Sequence, residues 1–540
     1  MHRRDWMKQV SAGALAILAD GWQASLARAG EVDDRFGSLA DAALGGATSR
    51  GASFADLRIM QTDAESLFVR ERMAQGVDAS SLLGCSVRVL VDGAWGFAAG
   101  DDLTPDGVAR LAGLAVEIAR AQGGWRARRI AMENLPAHVG RFDQPVEVDP
   151  FTVPLDEKLE RLLAISGAAL DAGAGYCQAA LLMVRERTWL ANSFGSRLVQ
   201  SRVRLNPDCI VTVTDPKRGF ASRDGLVRPA AGGYEHFTAP DWQGIVRAAV
   251  AEAGEKLVAP AVEPGRLDLV IAPSNLWLTI HETVGHPTEL DRALGEEANF
   301  AGTSFCTPEA LDRLRYGSEI VSFSADRTQP AGLATTAFDD DGVETRGKDF
   351  FIVEKGVFRN FQMAVGQAAA IGRAGSNACA YAESAAAFPL QRMPNISLEP
   401  GADPAVTAAS LIADVDDGLF IEGAGSWSID QQRRNFQFSG GVFHRIRNGK
   451  LAGMVRDAAY QGTSVDFWNA CDGLGGPATR ELWGAFTCGK GQPTQSAAVS
   501  HGAVPARFRG VNVLCTAADG KPATAAIEGR CPGLGARRWA

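Results

Sequence analysis

At 540 residues the chain exceeds what one hydrophobic core serves, since single cores stop growing near about 250–300 residues, so two or more domains are expected. With 46% hydrophobic residues, 22% charged residues and 60 glycines, the composition is that of a globular, turn-rich protein and excludes a disordered or fibrous one; so many glycines favour hairpins over long helices. A formal net charge of -9 without a long basic run excludes the usual electrostatic footprint of nucleic-acid binding, which leaves small molecules or peptides as partners.

The first 29 residues carry Arg3-Arg4, then Trp6-Met7-Lys8, an apolar run from Val10 to Leu18, and Ala27-Arg28-Ala29. Together these are the parts of a secretory leader with a cleavage site, and the paired arginines match a twin-arginine signal. That route exports proteins already folded. The expected compartment is the periplasm; the alternative is a cytoplasmic protein whose N-terminal extension begins with an arginine pair. The apolar run is too short to cross a bilayer, so no membrane span is expected in the mature form. Nine cysteines are scattered without CxxC pairs, so no zinc finger or redox motif emerges from them. Cys515 and Cys531, both near the C-terminus, are the one pair expected to form a late disulfide.

Further along, CSVRVLVDGAWGFAAG places Cys85, Val87, Val89 and Val91 on one strand face and turns at Asp92-Gly93 into a second strand. Thr104-Pro105 supplies an N-cap and a first-turn proline for a helix whose apolar residues recur at helical spacing. A second helix is expected from about Leu155 to Leu170. Strands follow in LLMVRERTWLA, SRLVQSRVRL and CIVTVTD. This order favours an α+β domain over residues 30–262, an antiparallel sheet with flanking helices, rather than a doubly wound parallel sheet. Proline and glycine cluster near residues 258–266, taken as the boundary. Over 263–513 hairpin signals dominate, with turns at Lys355-Gly356 and Asn448-Gly449, so this domain is expected to be mostly antiparallel β and barrel-like. Residues 514–540 form a tail.

The chemistry concentrates in TIHETVGHPTEL. His281 and His286 flank Glu282, but they are five residues apart, whereas H-E-x-x-H uses four to keep both rings on one helix face. LDLVIA from Leu267 reads as a buried strand, Ser274 as the N-cap of an apolar helix, and the histidines as its far end. Gly285 is a poor helix former and Pro287 disfavours the α conformation at His286. A π-bulge or break at Thr283–His286 is therefore expected to absorb the extra residue and bring both imidazoles to one side. Histidine is the commonest neutral metal ligand, and the adjacent carboxylate can take a proton from metal-activated water. A catalytic zinc needs a third protein ligand. Glu289, Glu296, Glu297, His444 or a cysteine could supply it, and the residues alone do not choose among them.

HETVGH together with FTCGKGQ around Cys488 resembles the TldD/PmbA family and, within it, the TldD-like zinc metallopeptidases. GGYEHF (232–237), FDDDGVETRGKDFFIVEKGVF, RMPNISLEPG and FQFSGGVFHRIRNGKLAGMVRDAAYQG support the likeness, in the family's order. The resemblance implies that His281, His286 and Cys488 bind Zn2+ and that Glu282 is the general base. It also implies action on unfolded or leader peptides, bound as an extended strand, in a homodimer or a heterodimer with a metal-free PmbA-like subunit. Pro287, the exported leader and the tail depart from the family pattern.

Three other readings fail on their residues. GAFTCGKG imitates a phosphate-binding loop, but Gly491 stands where Ser or Thr would hold magnesium and no helix begins there. DDDGVE lacks the alternating ligands of a calcium loop and is expected to be a solvated turn. No G-x-S-x-G elbow supports a serine hydrolase. The rival to a zinc peptidase is a non-catalytic scaffold or binding subunit with structural or no zinc; the retained Glu282 speaks against it.

Overall fold

Two long strands, β1 (Phe54–Arg70) and β2 (Met73–Val91), pair over their whole length and set the frame of the first half. A computed structural model of the chain describes residues 30–122 and 129–517. The expected twin-arginine leader, most of the tail and Cys531 of the expected disulfide lie outside the described residues. β2 turns at Asp92-Gly93 into β3 (Ala94–Gly100), with φ of 50° and 76° at the two turn residues. Such a turn matches the twist of the strands, and Asp-Gly tolerates it. β5 (Tyr176–Asn192) adds antiparallel to β1 and β6 (Arg197–Asp215) antiparallel to β5, and β7 (Gly219–Asp224) and β8 (Ala230–Ala231) pair with β6. β4 (Val139–Asp143) runs parallel to β6, so the sheet is antiparallel in all but one pairing.

Helices cover one face of this sheet. α1 (residues 30–48) and α2 (Pro105–Ala121) pack over one half, and α3 (Leu155–Asp171) and α5 (Trp242–Val258) over the other. Thr104 caps α2 as expected, its hydroxyl accepting from the Gly107 N–H at 3.0 Å. GGYEHF forms the single turn α4 (Glu235–Thr238).

The fold departs from expectation in its strands and in its helices. SRLVQSRVRL and CIVTVTD are one strand, because Pro207 faces Leu181 within the β5–β6 ladder without ending it. α1 and α5 are additional helices, so long helices are more numerous than the glycine content suggests. α5 starts where the Asp241 side chain accepts from Gly244 N–H, a cap that a low amphipathic contrast leaves easy to overlook.

After α5 the chain enters two further sheets. β9 (Gly265–Ile271), β16 (Asp417–Ile429), β17 (Asn435–Arg447), β19 (Ala458–Thr463) and β23 (Ala506–Cys515) form a closed barrel. Their order runs β16-β9-β23-β19-β17, and β17 pairs back to β16. β18 (Lys450–Val455) extends β17 through the Asn448-Gly449 turn, and β20 (Cys471–Leu474) pairs with β23. Only β9 and β16 are parallel within the barrel. Beside it lies a six-stranded sheet of β10 (Phe323–Asp326), β11 (Phe350–Glu354), β12 (Val357–Phe358), β15 (Asn395–Leu398), β21 (Glu481–Lys490) and β22 (Gln495–Ala503). Its order is β12-β11-β10-β15-β22-β21, which leaves β21 at an edge, while β13 (Ala380–Tyr381) and β14 (Leu390–Gln391) form a separate ribbon. The architecture is α+β, as expected, with the barrel in the second half.

The DDDGVE segment is not a solvated turn. Asp339, Asp340 and Asp341 are all buried, because backbone and arginine donors from neighbouring segments satisfy them. Asp339 accepts from the N–H groups of Asp341, Val343 and Ala380, and Asp340 from that of Ala382. Asp341 accepts from Val365 N–H at 2.8 Å and from Arg88 of β2 at 2.7 Å. Arg88 also pairs with Asp56 on β1, so one guanidinium ties the first sheet to the second half of the chain. Arg88→Met is expected to leave two buried carboxylates unpaired and to cost about 3–5 kcal/mol, read as a lowered denaturant midpoint.

Candidate metal centre

Helix α6 (Pro273–Ile280) follows β9 directly. Its N-cap is Ala272, not Ser274, because the fixed φ of Pro273 starts the helix two residues earlier. Ser274 instead accepts from Gly423 N–H at 3.0 Å and ties the helix to β16. Past Ile280 the ladder widens: His281–Gly285 is a π-turn in which His286 N–H donates to His281 C=O, five residues back. This is the expected bulge. Gly285 fits it because a Cβ there would lie 2.6 Å from Met393 Sδ, and Pro287 has no N–H to leave unpaired.

Side chains satisfy the carbonyls that the bulge releases. Tyr316 Oη donates to Thr283 C=O, Thr288 Oγ1 to Val284 C=O at 2.7 Å, and Gln362 Nε2 to Gly285 C=O at 2.6 Å. Trp468 Nε1 donates to Thr283 Oγ1 at 2.9 Å. The turn is therefore fixed from several directions, and it sets the His281 and His286 rings edge to face, with centroids 4.7 Å apart.

Cys488 arrives from β21, 202 residues later, with its Sγ 3.7 Å from His286 Nε2. Arg392, in the segment before β15, donates to the Cys488 C=O and to Gln495 C=O, which fixes this stretch of edge strand. His281, His286 and Cys488 are 4–5% exposed, and one potential ligand atom from each lies within 4.8 Å of the others.

The hydrogen bonds on the rings select the free nitrogens. His286 Nδ1 lies 3.1 Å from Glu289 Oε2, which accepts its proton. His501 Nδ1 lies 3.2 Å from Ile396 C=O and must donate there, so its Nε2 accepts from His281 Nδ1 at 2.8 Å. Both cluster imidazoles therefore keep Nε2 as a lone pair, the arrangement that carboxylate and imidazole partners impose on metal-binding histidines. Burial pushes the pKa of His281, His286 and His501 down, which favours the neutral rings. Burial pushes the Cys488 thiol up, but its contact with His286 and the Arg392 charge outweigh it and hold it below its ordinary value. Two neutral imidazoles and a readily ionised thiol suit zinc. The 3.7 Å separation of Sγ and Nε2 is close to the roughly 3.5 Å between sulfur and nitrogen ligands on one tetrahedral zinc.

Glu282 lies on the same π-turn, 6% exposed, with its Oε2 against Arg433 Nη1 from the tip between β16 and β17. Among the other candidate third ligands, Glu289 is on the far ring nitrogen of His286, Glu297 accepts from Gly491 N–H, and Glu296 is exposed. His444 lies on β17 against Phe420.

His501, Arg433, Arg392 and Lys490 join the site without having been expected there. Lys490 carried a usable signal, since it lies two residues beyond Cys488 on a strand and so faces the same side. It is fully buried and donates to Asp291 and to Gln391 C=O, each at 2.8 Å, with Glu289 3.4 Å away. In the phosphate-loop look-alike this lysine therefore points into the core of a strand environment. Burial pushes Glu289 up, but Lys490, His286 and Arg292 outweigh it and hold the carboxyl well below its usual range. Lys490→Met is expected to leave Asp291 without its cation and Glu289 with only Arg292 and His286 beneath the cluster, at a cost of about 3–5 kcal/mol in a denaturation experiment.

Comparison with known proteins agrees with this architecture. Residues 55–119 match the PmbA/TldA metallopeptidase domain 1, 148–257 the central domain and 264–511 the C-terminal domain. A metalloprotease of Methanothermobacter thermautotrophicus is 26% identical over 468 residues, covering 85% of this chain and 95% of that protein. A metalloprotease of Methanocaldococcus jannaschii is 23% identical over 418 residues, covering 76% and 87%. A Saccharolobus solfataricus protein named as a zinc metalloprotease TldD homolog is 24% identical over 212 residues, 38% of this chain and 43% of that one. The crystal structure of TldE from Thermococcus kodakarensis shares the fold, with a TM-score of 0.65 at 14% identity over 87% of this chain and 98% of that one. With three consecutive domains matched in order from Ala55 to Val511, the chain belongs to the PmbA/TldD metallopeptidase family.

Proposed function

We propose that the protein is a zinc-dependent peptidase acting on unfolded or leader peptides, with His281, His286 and Cys488 holding the metal and Glu282 as general base. The observation that carries this reading is a buried His–His–Cys cluster with correctly aimed ring nitrogens and a carboxylate on the same π-turn. Zinc, when bound, supplies a Lewis acid that activates water and polarises a peptide carbonyl. Glu282 takes a proton on its carboxylate and returns it to the leaving amine. The name of the Saccharolobus relative supports zinc as the metal.

β21 carries Cys488 and is the edge of its sheet among the described residues, so an extended peptide can add along it through main-chain hydrogen bonds. Such binding reads backbone more than side chains and suits an unfolded substrate. The reading includes assembly as a dimer, with itself or with a metal-free PmbA-like subunit, and export through the Arg3-Arg4 leader. The alternative is a non-catalytic scaffold subunit. Cleavage of an unfolded peptide by the zinc-loaded chain, beside Glu282→Gln, separates the two: a scaffold shows no difference between them.

A further inference from the structure

Glu282 has one hydrogen-bond partner among the described residues, and that partner is built into a rigid loop. Arg433 Nη1 donates to Glu282 Oε2 across 151 residues of sequence. The tip from Asp430 to Asn435 holds this arginine in place. Asp430 accepts at its side chain from Arg434 N–H at 2.8 Å, from Asn435 N–H at 3.1 Å and from Asn435 Nδ2 at 2.6 Å, while its C=O accepts from Arg433 N–H at 2.9 Å. Ser464 Oγ donates to Arg433 C=O at 2.7 Å.

Within this tip Arg433 has φ of 63°, a left-handed conformation that glycine or asparagine takes more readily. A strained non-glycine residue at a functional centre persists when its surroundings over-determine it, and here they do. The guanidinium is mostly buried, and its Nε has no partner among the described residues, so an arginine serving only to close the hairpin would be poorly placed. One N–H is given to Glu282.

We propose that Arg433 is a positioning residue of the reaction, holding the Glu282 carboxylate beside the His281–His286–Cys488 cluster. A buried carboxylate on a short turn would otherwise be free to rotate among rotamers, and misplacing a reacting group by about 1 Å can lower turnover on the order of 100-fold. Arginine suits the task because its planar fork stays charged and fixes direction as well as charge. The inference rests on the peptidase reading for its purpose, but the contact itself is testable without it.

The full-length chain is prepared as wild type, Arg433→Gln, Arg433→Lys, Arg433→Ala, Glu282→Gln and the Glu282→Gln/Arg433→Gln double variant. In the metal-free proteins the denaturation midpoints form a double-mutant cycle, and the double variant is expected to fall by less than the sum of the singles. Zinc content is expected to be unchanged in all the Arg433 variants. In the zinc-loaded proteins Arg433→Gln is expected to lower kcat about 100-fold with KM within about threefold of wild type. Arg433→Lys is expected to retain more turnover than the glutamine variant, and added methylguanidine to restore part of the activity of Arg433→Ala. Additive midpoints overturn the contact. A raised KM with unchanged kcat, or kcat within about twofold of wild type, overturns the positioning role. A zinc-loaded wild type that cleaves no peptide, beside coupled midpoints, overturns the peptidase reading and with it the catalytic purpose of the pair, while the contact stands.

Discussion

Cys488→Ser is expected to lose zinc that the wild type holds near stoichiometry, as read by elemental analysis of the two purified proteins. A serine hydroxyl does not ionise near neutral pH and is a poor substitute for a thiolate, so the site would keep two neutral imidazoles and no anionic ligand. Loss of one of three ligands is expected to weaken zinc by more than about 100-fold, beyond the 10–100-fold typical of losing a partner that only orients a ligand. Cys488 is also the only member of the cluster from the six-stranded sheet, whereas both histidines follow the barrel strand β9 through α6. Zinc would thus clamp β21 onto the π-turn, and its removal is expected to lower the melting temperature of the wild type but not that of the serine variant. A variant that retains stoichiometric zinc would remove Cys488 from the site. A well-folded wild type that takes up no zinc, even when supplied, would reduce HETVGH to a helix end and favour the scaffold reading.

The features legible in the amino-acid sequence are local in character. Asp92-Gly93, Lys355-Gly356 and Asn448-Gly449 take positive φ at both positions, signalled by the glycine in each and by Asp or Asn before it in two of them. The five-residue spacing of His281 and His286 is legible for the same reason, since Gly285 and Pro287 alone argue that a regular helix cannot continue. Cys488 is different. No spacing rule connects it to His286, and only the family resemblance of FTCGKGQ points to it.

His501, Arg433 and the burial of Asp339–Asp341 share this non-local origin. His501 meets His281 through a strand pairing of β22 with β15, and Arg433 meets Glu282 because β16 and β17 end together above α6. The three aspartates read as surface residues because nothing adjacent neutralises them; their partners come from β2, from Val365 and from Ala380. Buried polar residues are therefore where a reading of single segments fails, since their cost is offset only by partners brought in by the tertiary fold.

Glu282→Gln is expected to lower kcat for an unfolded peptide by about 10²–10⁴-fold, the range that general acid–base catalysis contributes, with zinc content unchanged. The substitution is close to isosteric, and the amide oxygen can still accept from Arg433, so the fold should survive at a cost of about 1–3 kcal/mol for the lost charge on one hydrogen bond. No neighbouring acid is poised to replace it. Glu289 is committed to His286, Arg292 and Lys490, and Asp291 to Lys490. The amide cannot accept a proton, so the defect should appear in kcat with little change in KM, because the edge of β21 that would bind peptide is untouched. Equal turnover in the variant would sink the proposed mechanism while leaving the metal site intact. A loss of zinc together with activity would instead make Glu282 part of the metal's own support, and the base would have to be sought elsewhere.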